Sequence, residues 1–285
     1  MAERVHIIGA SGRSGIALCR SVSTDGVAFV PVVRNAAKWH TAGIGVPARV
    51  ADLTDIARLR EALRDATHIV SCAHARHTAA VLAAAPPDAR FVLLGSTRKF
   101  TRWPDAHGKG VLAGEAAFLS SGRSGAMLHP TMIYGAQGED NVQRLAALLR
   151  RLPLVPLPGG GNALVQPIHQ DDVTRAVRAA LDRAWQGPSS LVIAGPTPLP
   201  YADFVRAVAS AGGQQPPRIV AAPAAPLMAL AGILRYIPWL PDVDPAAIRR
   251  LLEDKSFDVR PMIETLGVTP ISLQEGLART FTKGS

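Results

Sequence analysis

The residues with the plainest chemical meaning stand near the start of the chain. Gly9-Ala10-Ser11-Gly12-Arg13-Ser14-Gly15 follows the apolar run Val5-His6-Ile7-Ile8 and precedes a helical stretch. Three glycines in that setting suit an anion. The first permits a tight turn, the second lets the backbone approach a pyrophosphate, and the third lets the helix pack close on the strand. The helix N-terminus then turns its unpaired N–H groups toward the negative charge. An ordinary strand-to-helix turn with no ligand is the competing use of the same glycines. An acidic side chain about twenty residues further on would take a ribose 2′-hydroxyl, but the second strand ends Val33-Arg34-Asn35 with Lys38 nearby. A guanidinium at that point grips a 2′-phosphate with two parallel hydrogen bonds, and Arg13 adds charge from inside the loop. The expected cofactor is therefore NADP(H) in preference to NAD(H). The alternative is that both arginines are solvated surface residues.

The elements that would hold these groups alternate between short apolar runs and longer helical periods, as in a parallel sheet covered on both faces. Strands are predicted at 5–8, 27–33, 48–50, 67–73, 91–95, 126–129 and 191–194, with Pro31 sitting awkwardly if its strand is central. Helices are predicted at 16–20, 56–66, 111–121, 141–151 and 172–184, the last capped by Asp171. Pro153, Pro156 and Pro158 with Gly159-Gly160-Gly161 form a loop that reads as a domain seam. Beyond it, helices at 201–210, 227–235, 245–254 and 272–280 build a second region. The expected fold class is α/β, a doubly wound Rossmann sheet with a smaller, mainly helical C-terminal substrate region. Residues 1–155 make the dinucleotide-binding domain, which also receives about 165–195, and 156–285 make the interleaved substrate region.

Composition narrows the function classes. A chain of 285 residues is long enough for a full core. The formal net charge of +9, almost all from arginine, invites an anionic ligand, yet the arginines are scattered and aromatics make up 5%, which argues against nucleic acid. Only Cys19 and Cys72 are available for thiol chemistry, and the first residues lack the charged and apolar regions of a secretory signal, so a reducing, cytoplasmic setting is expected. Prolines 223, 226, 238 and 241 and Arg235 interrupt the most apolar stretch, so no membrane span is expected. The 227–240 part of that stretch serves equally as a partner-binding surface, a roof over a substrate pocket or a contact in a homodimer. Cys72, His74 and His77 prompt a metal check, but no second cluster completes a ligand set, and none is expected. No Gly-x-Ser-x-Gly elbow is present to support a serine hydrolase.

Beyond the glycine loop, five further segments belong to one pattern. They are Asp52-Leu53, Gly95-Ser96-Thr97, His129-Pro130-Thr131-Met132-Ile133-Tyr134-Gly135, Gln166-Pro167-Ile168-His169-Gln170-Asp171-Asp172-Val173 and Leu266-Gly267-Val268-Thr269-Pro270. With Asp254-Lys255-Ser256-Phe257-Asp258, the chain resembles the short-chain dehydrogenase/reductase superfamily, in particular its extended and atypical branches, the NAD(P)-dependent epimerase/dehydratase-like and NmrA-like proteins. The resemblance implies that Asp52 and Leu53 flank an adenine, that Pro130, Ile133 and Tyr134 line a nicotinamide pocket, and that Ser96 and Thr97 meet the substrate carbonyl or hydroxyl. Cys72 and Ala73, at the end of the fourth strand, read as the wall beside the cofactor ribose.

The Tyr-x-x-x-Lys pair usual in carbonyl-reducing members is missing, since none of Tyr134, Tyr201 and Tyr236 has a lysine four residues on. Aligned on Glu115, His107 takes the tyrosine position and Val111 the lysine position, with Lys109 between them. A rebuilt relay would use His107 as general acid, Lys109 at the ribose or at an anionic substrate, and Tyr134 as a second acid. The competing reading makes 105–110 a flexible loop facing water. The resemblance implies an NADP(H)-dependent oxidoreductase or epimerase-like enzyme that transfers hydride to or from a small carbonyl, hydroxyl or nucleotide-sugar-like substrate. The alternative is an NADP(H)-binding regulatory or structural protein without turnover.

Overall fold

The computed structural model describes residues 4–136, 140–234 and 245–282. In chain order the first half contains β1 (Val5–Ile8), α1 (Arg13–Thr24), β2 (Phe29–Val33), α2 (Ala36–His40), β3 (Arg49–Val50), α3 (Ile56–Leu63), β4 (His68–Ser71), α4 (Thr78–Ala84), β5 (Arg90–Leu94), α5 (Ala106–Ser120), β6 (Gly125–Pro130) and β7 (Ile133–Tyr134). The second half contains α6 (Asn141–Leu149), β8 (Leu154–Pro158), β9 (Leu164–Val165), β10 (Ile168–His169), α7 (Gln170–Asp182), β11 (Pro188–Ile193), β12 (Leu199–Pro200), α8 (Tyr201–Ala211), β13 (Arg218–Ala222), α9 (Ala224–Leu234), α10 (Pro245–Arg250), α11 (Arg260–Leu266) and α12 (Leu273–Phe281).

Seven strands form one parallel sheet in the order β11-β6-β5-β4-β1-β2-β3. Its central strands β1, β4 and β5 are buried on both faces, which is why they read as continuous apolar runs. Side chains alternate between two cores. Ile7, Val70, Val92 and Leu128 pack with α1 and α7 on one face, while Ile8, Ile69, Phe91 and Met127 pack with α3, α4 and α5 on the other. The chain reverses direction of travel between β1 and β4, which puts the topological switch point of the sheet at the C-terminal ends of those two strands.

Pro31 fits because of where its missing N–H would point. Val32 gives its carbonyl to Gly9 N on the β1 side and Val33 gives its own to Ala51 N on the β3 side, so Pro31 shares the β3 side with Val33. There β3 pairs only with Val32 and Val33, and no ladder bond is lost at Pro31.

Several boundaries correct the sequence expectations. The 105–110 segment is not a loop, because Asp105 accepts a hydrogen bond from Gly108 N and starts α5 five residues before the predicted position. Helix α7 is capped by His169, whose Nδ1 accepts from Asp171 N, and not by Asp171. The proline-rich stretch predicted as loop contains β8, paired in parallel with β13, a partner more than fifty residues away that local sequence does not announce. Helices α4 and α11 were not anticipated; α4 is alanine-rich and lacks a clear apolar period. The helix expected at 227–235 appears as α9, and the remainder of the 227–240 segment lies outside the described residues. Among the described residues, no helix is long and apolar enough to cross a membrane.

Two further apolar clusters sit beside the main sheet. One joins Tyr134, Val142, Phe204, Val208 and Leu277, and the other joins Leu149, Leu157, Val205 and Ala209. Gln166 ties the 254–258 segment to this framework, accepting from Phe257 N at 2.7 Å and donating to the carbonyls of Gly195 and Phe257.

Candidate functional site

Gly9 leaves β1 with φ +73°, and a Cβ there would meet Ala73 N at 3.1 Å, so the glycine turn lies directly against the Cys72-Ala73 backbone. Its N–H donates to Val32 O, and its carbonyl accepts from Gly12 N at 2.8 Å. Gly12 is the N-cap of α1 and brings no side-chain acceptor, so this twelve-residue helix starts without a side-chain cap. Ser14 Oγ donates to Gln170 Oε1 at 3.3 Å, Arg13 reaches Asp140 at 3.4 Å, and Ser11 is half-buried. Burial pushes the Cys72 thiol up to about 12, so it stays protonated beside the turn.

At the end of β2, Arg34 and Lys38 are exposed, and Arg34 makes no hydrogen bond or ion pair among the described residues. Asp52 lies near it, its carboxylate held low by hydrogen bonds from Thr54 and by the charges of Arg34 and His77. Leu53 is half-buried next to it. The helix N-terminus without a side-chain cap and the bare glycine backbone could hold the phosphates of a dinucleotide.

A cleft of about 440 Å³ opens at the C-terminal ends of β5 and β6, the position where α/β sheets hold ligands. Its lining includes Ser96, Thr97, Arg98, Thr131, Glu253 and Lys255. Ser96 Oγ accepts from Arg98 N at 3.1 Å, capping the short 3-10 turn Thr97–Phe100, and Thr97 Oγ1 donates to Pro130 O at 3.2 Å. Thr131 is 7% exposed, and its hydroxyl has no hydrogen-bond partner. Arg98 donates through Nε and Nη2 to Asp105, the cap of α5, and Arg250 approaches the same carboxylate at 3.5 Å. Burial, aided by Arg250 and Arg98 against the pull of Glu253, lowers the Lys255 ammonium below its ordinary value.

His107 lies on the first turn of α5, its ring edge-on to that of His74 with centroids 4.3 Å apart. Burial and the Arg98 charge push its pKa down while Asp105 opposes them. His74 Nδ1 accepts from Arg76 N, which places its proton on Nε2, a buried atom with no partner. Lys109 is exposed, its side chain without a hydrogen bond or ion pair among the described residues. Val111, aligned with the usual lysine, is buried in the core under α5.

Tyr134 corrects an expectation. The side chain is 1% exposed, and a Cβ on Gly276 of α12 would collide with its hydroxyl, so that group faces α12 and not the cleft. Burial raises its pKa, which further removes it as an acid. Ile133 is half-buried and Pro130 fully buried at the end of β6.

Behind the cleft, Glu115 Oε1 accepts from Lys99 Nζ at 2.5 Å, from Ser190 Oγ and from His129 Nε2 at 3.1 Å. His129 Nδ1 accepts from Ser96 N at 3.2 Å, so the ring is neutral with its proton on Nε2. This network, with Arg98, Asp105, Thr131 and Glu253, was not joined by the sequence reading, which met Glu115, His129 and Thr131 only in the family pattern. Its members come from five separate segments, and no spacing signal joins them.

A larger depression of about 930 Å³ lies along α1, α7 and α12, away from the β5 and β6 ends. Its Arg175 and Arg279 are paired with Asp172 and Asp171, and we assign it no chemistry.

No family model matches the chain, and no curated protein matches it in sequence. Solved structures do. A quinone oxidoreductase from Escherichia coli, described as NADPH-dependent and complexed with NADPH, superposes with a TM-score of 0.77 at 18% identity, covering 98% of this chain and 100% of that one. A UDP-glucuronic acid 4-epimerase from Bacillus cereus, in complex with UDP-glucuronic acid and NAD, gives 0.74 at 14% identity, with 98% of each chain covered. A nucleoside-diphosphate-sugar epimerase from Pseudomonas aeruginosa gives 0.72 at 19%, covering 98% and 96%. The chain shares their fold. At these identities the likeness speaks for the architecture alone, and leaves the chemistry to the residues above.

Proposed function

We propose that the chain binds NADP(H) and transfers hydride to or from a small carbonyl, hydroxyl or nucleotide-sugar-like substrate held in the cleft at the ends of β5 and β6. The observation that carries this reading is the juxtaposition on one sheet edge of the uncapped glycine turn, the unpaired Arg34 and that cleft. The dinucleotide likenesses of the E. coli and B. cereus structures support it. The nicotinamide supplies or accepts the hydride when bound. The protein's own share is to hold the pyrophosphate at the α1 N-terminus, the phosphate on Arg34 and Lys38, and the substrate oxygen near Ser96 and His107.

His107, Ser96 and Thr97 are the residues we assign to polarising the substrate oxygen and moving its proton, with Lys109 able to add charge from solvent. Residues 1–155 with about 165–195 would serve the cofactor and 156–285 the substrate. Cys19 and Cys72 are both free thiols, in keeping with a cytoplasmic setting. The regulatory reading draws on one observation, the burial of Val111 where the relay lysine would stand. Turnover of ketones, aldehydes, enones or nucleotide sugars that falls in His107→Ala and Ser96→Ala separates the two readings.

Parallel titration with NADPH and NADH, followed by cofactor fluorescence, tests the phosphate grip. NADPH is expected to bind the tighter, and Arg34→Asp is expected to weaken it by about 30-fold or more, the worth of a lost charge-assisted pair plus repulsion. Equal binding of both cofactors to the native protein would remove the assignment of Arg34.

A further inference from the structure

The cleft at the β5 and β6 ends has an unequal supply of donors and acceptors. Its acids are already occupied. Glu253 is 6% exposed and accepts from Thr101 Oγ1 at 2.8 Å and from Arg102 N at 2.5 Å. Asp254 Oδ1 accepts from Leu164 N at 2.9 Å, and Asp105, outside the lining, is held by Arg98 and Gly108 N. The donors are less fully used. Lys255 Nζ gives one hydrogen bond, to Arg250 O at 3.0 Å, and has three protons to give. Thr131 lines the cleft, and its hydroxyl oxygen, buried with a side chain more than nine-tenths buried, has no partner. A native interior seldom leaves such a hydroxyl unmet, because its desolvation is then uncompensated.

We propose that this cleft recognises a small substrate through a carboxylate, with Lys255 and Thr131 as its direct partners and Arg98 and Arg250 supplying the surrounding positive field. The proposal rests on the reading of the cleft as the substrate site and narrows its substrate class to acidic carbonyl or hydroxy compounds. A carboxylate offers acceptor sites for both Nζ–H and Oγ–H and replaces the solvent that Lys255 has lost. Burial and its arginine neighbours, against the pull of Glu253, disfavour the Lys255 ammonium, and a second carboxylate in the cleft would oppose that penalty. Phe257 and Met132 leave apolar wall for the rest of a short carbon chain.

Calorimetric titration of the full chain, with and without saturating NADPH, tests the proposal using oxamate, the small uncharged amide propionamide, inorganic phosphate and UDP-glucose. Oxamate is expected to bind at least tenfold tighter than propionamide and than phosphate. Lys255→Met and Thr131→Val are each expected to weaken oxamate about tenfold or more, Lys255→Arg less than Lys255→Met, and Arg206→Met, at an exposed arginine of α8 paired with Asp203 and outside the cleft lining, not at all. Thermal melts of every variant separate loss of the site from loss of the fold. Equal binding of oxamate and propionamide, no binding of oxamate, or phosphate or UDP-glucose outcompeting oxamate would each overturn the carboxylate assignment. NADPH fluorescence read in the same samples keeps the two readings apart. Oxamate binding without NADPH binding would fell the cofactor proposal alone, and NADPH binding without oxamate binding would fell this one alone.

Discussion

Gly15→Ala is expected to destabilise the protein by about 3 kcal/mol and to abolish NADPH binding. A Cβ at this position would stand 2.9 Å from Ala10 Cα and closer still to the Gly9 carbonyl oxygen. Both neighbours are backbone, so no side chain can swing aside, and α1 must lift off the turn that follows β1. Overpacking of a tight core contact costs about 1–3 kcal/mol, and a backbone-to-backbone collision falls at the upper end. For a chain of this size each kcal/mol lowers Tm by roughly 2–4 °C, so a drop of roughly 6–12 °C is expected. The displaced helix would also carry its free N–H groups away from the pyrophosphate. Gly12→Ala provides the comparison. Its Cβ would lie 3.1 Å from the same oxygen, and φ is −82°, so a smaller loss is expected. Differential scanning calorimetry and NADPH titration of both variants measure this. A Gly15→Ala protein that melted within 2 °C of the native one would show that α1 is not seated on the glycine turn as described.

Acidification from pH 7 to pH 4 is expected to remove about 3 kcal/mol of stability through His129 alone. The ring is fully buried. Burial first, then the Lys99 charge, push its pKa down to about 4, while Glu115 pulls the other way. The unfolded chain takes up this proton near pH 6.5 and the folded one only near pH 4, so the unfolded state binds more protons between those values. The stability contributed by the neutral ring is complete above about pH 6.5 and is lost as the pH falls toward 4. Glu115 adds to the loss at the acid end. Burial works to raise its pKa, but hydrogen bonds from Lys99 and Ser190 hold it low, so its contribution also disappears as it protonates. Urea unfolding at pH 7.5, 6, 5 and 4.5 is expected to show midpoints falling steadily in the native protein and much less in His129→Gln. A slope that the variant leaves unchanged would place the acid sensitivity elsewhere.

The glycine turn, the first four strands and the α/β alternation were legible in the sequence because each rests on local signals. Glycines mark a turn, buried parallel strands leave runs of valine and isoleucine, and amphipathic helices repeat every three to four residues. The positions of Arg34 and Ser96 at strand ends followed from the same local reading. What Ser96 touches did not, since its amide meets His129 from β6, thirty-three residues on.

Tyr134 illustrates the limit most directly. A tyrosine after a strand, in a segment expected to line a pocket, has the chemistry of an acid, yet the glycine at 276 opened a space into which its hydroxyl turns. The 105–110 segment shows the same limit from the other side. Its two glycines argued for a loop, but Gly108 fits against the Arg98 carbonyl and Gly110 against His74, so they permit close packing of a helix that Asp105 starts. By itself the sequence determined the fold class, the glycine turn and the charge at the end of β2, because these depend on residues near one another in the chain. Only the tertiary structure decided which side chains share the cleft. Arg98, Thr131, Glu253 and Lys255 come from segments up to more than 150 residues apart, and their proximity follows from the order of strands in the sheet and the return of the C-terminal segment across its edge.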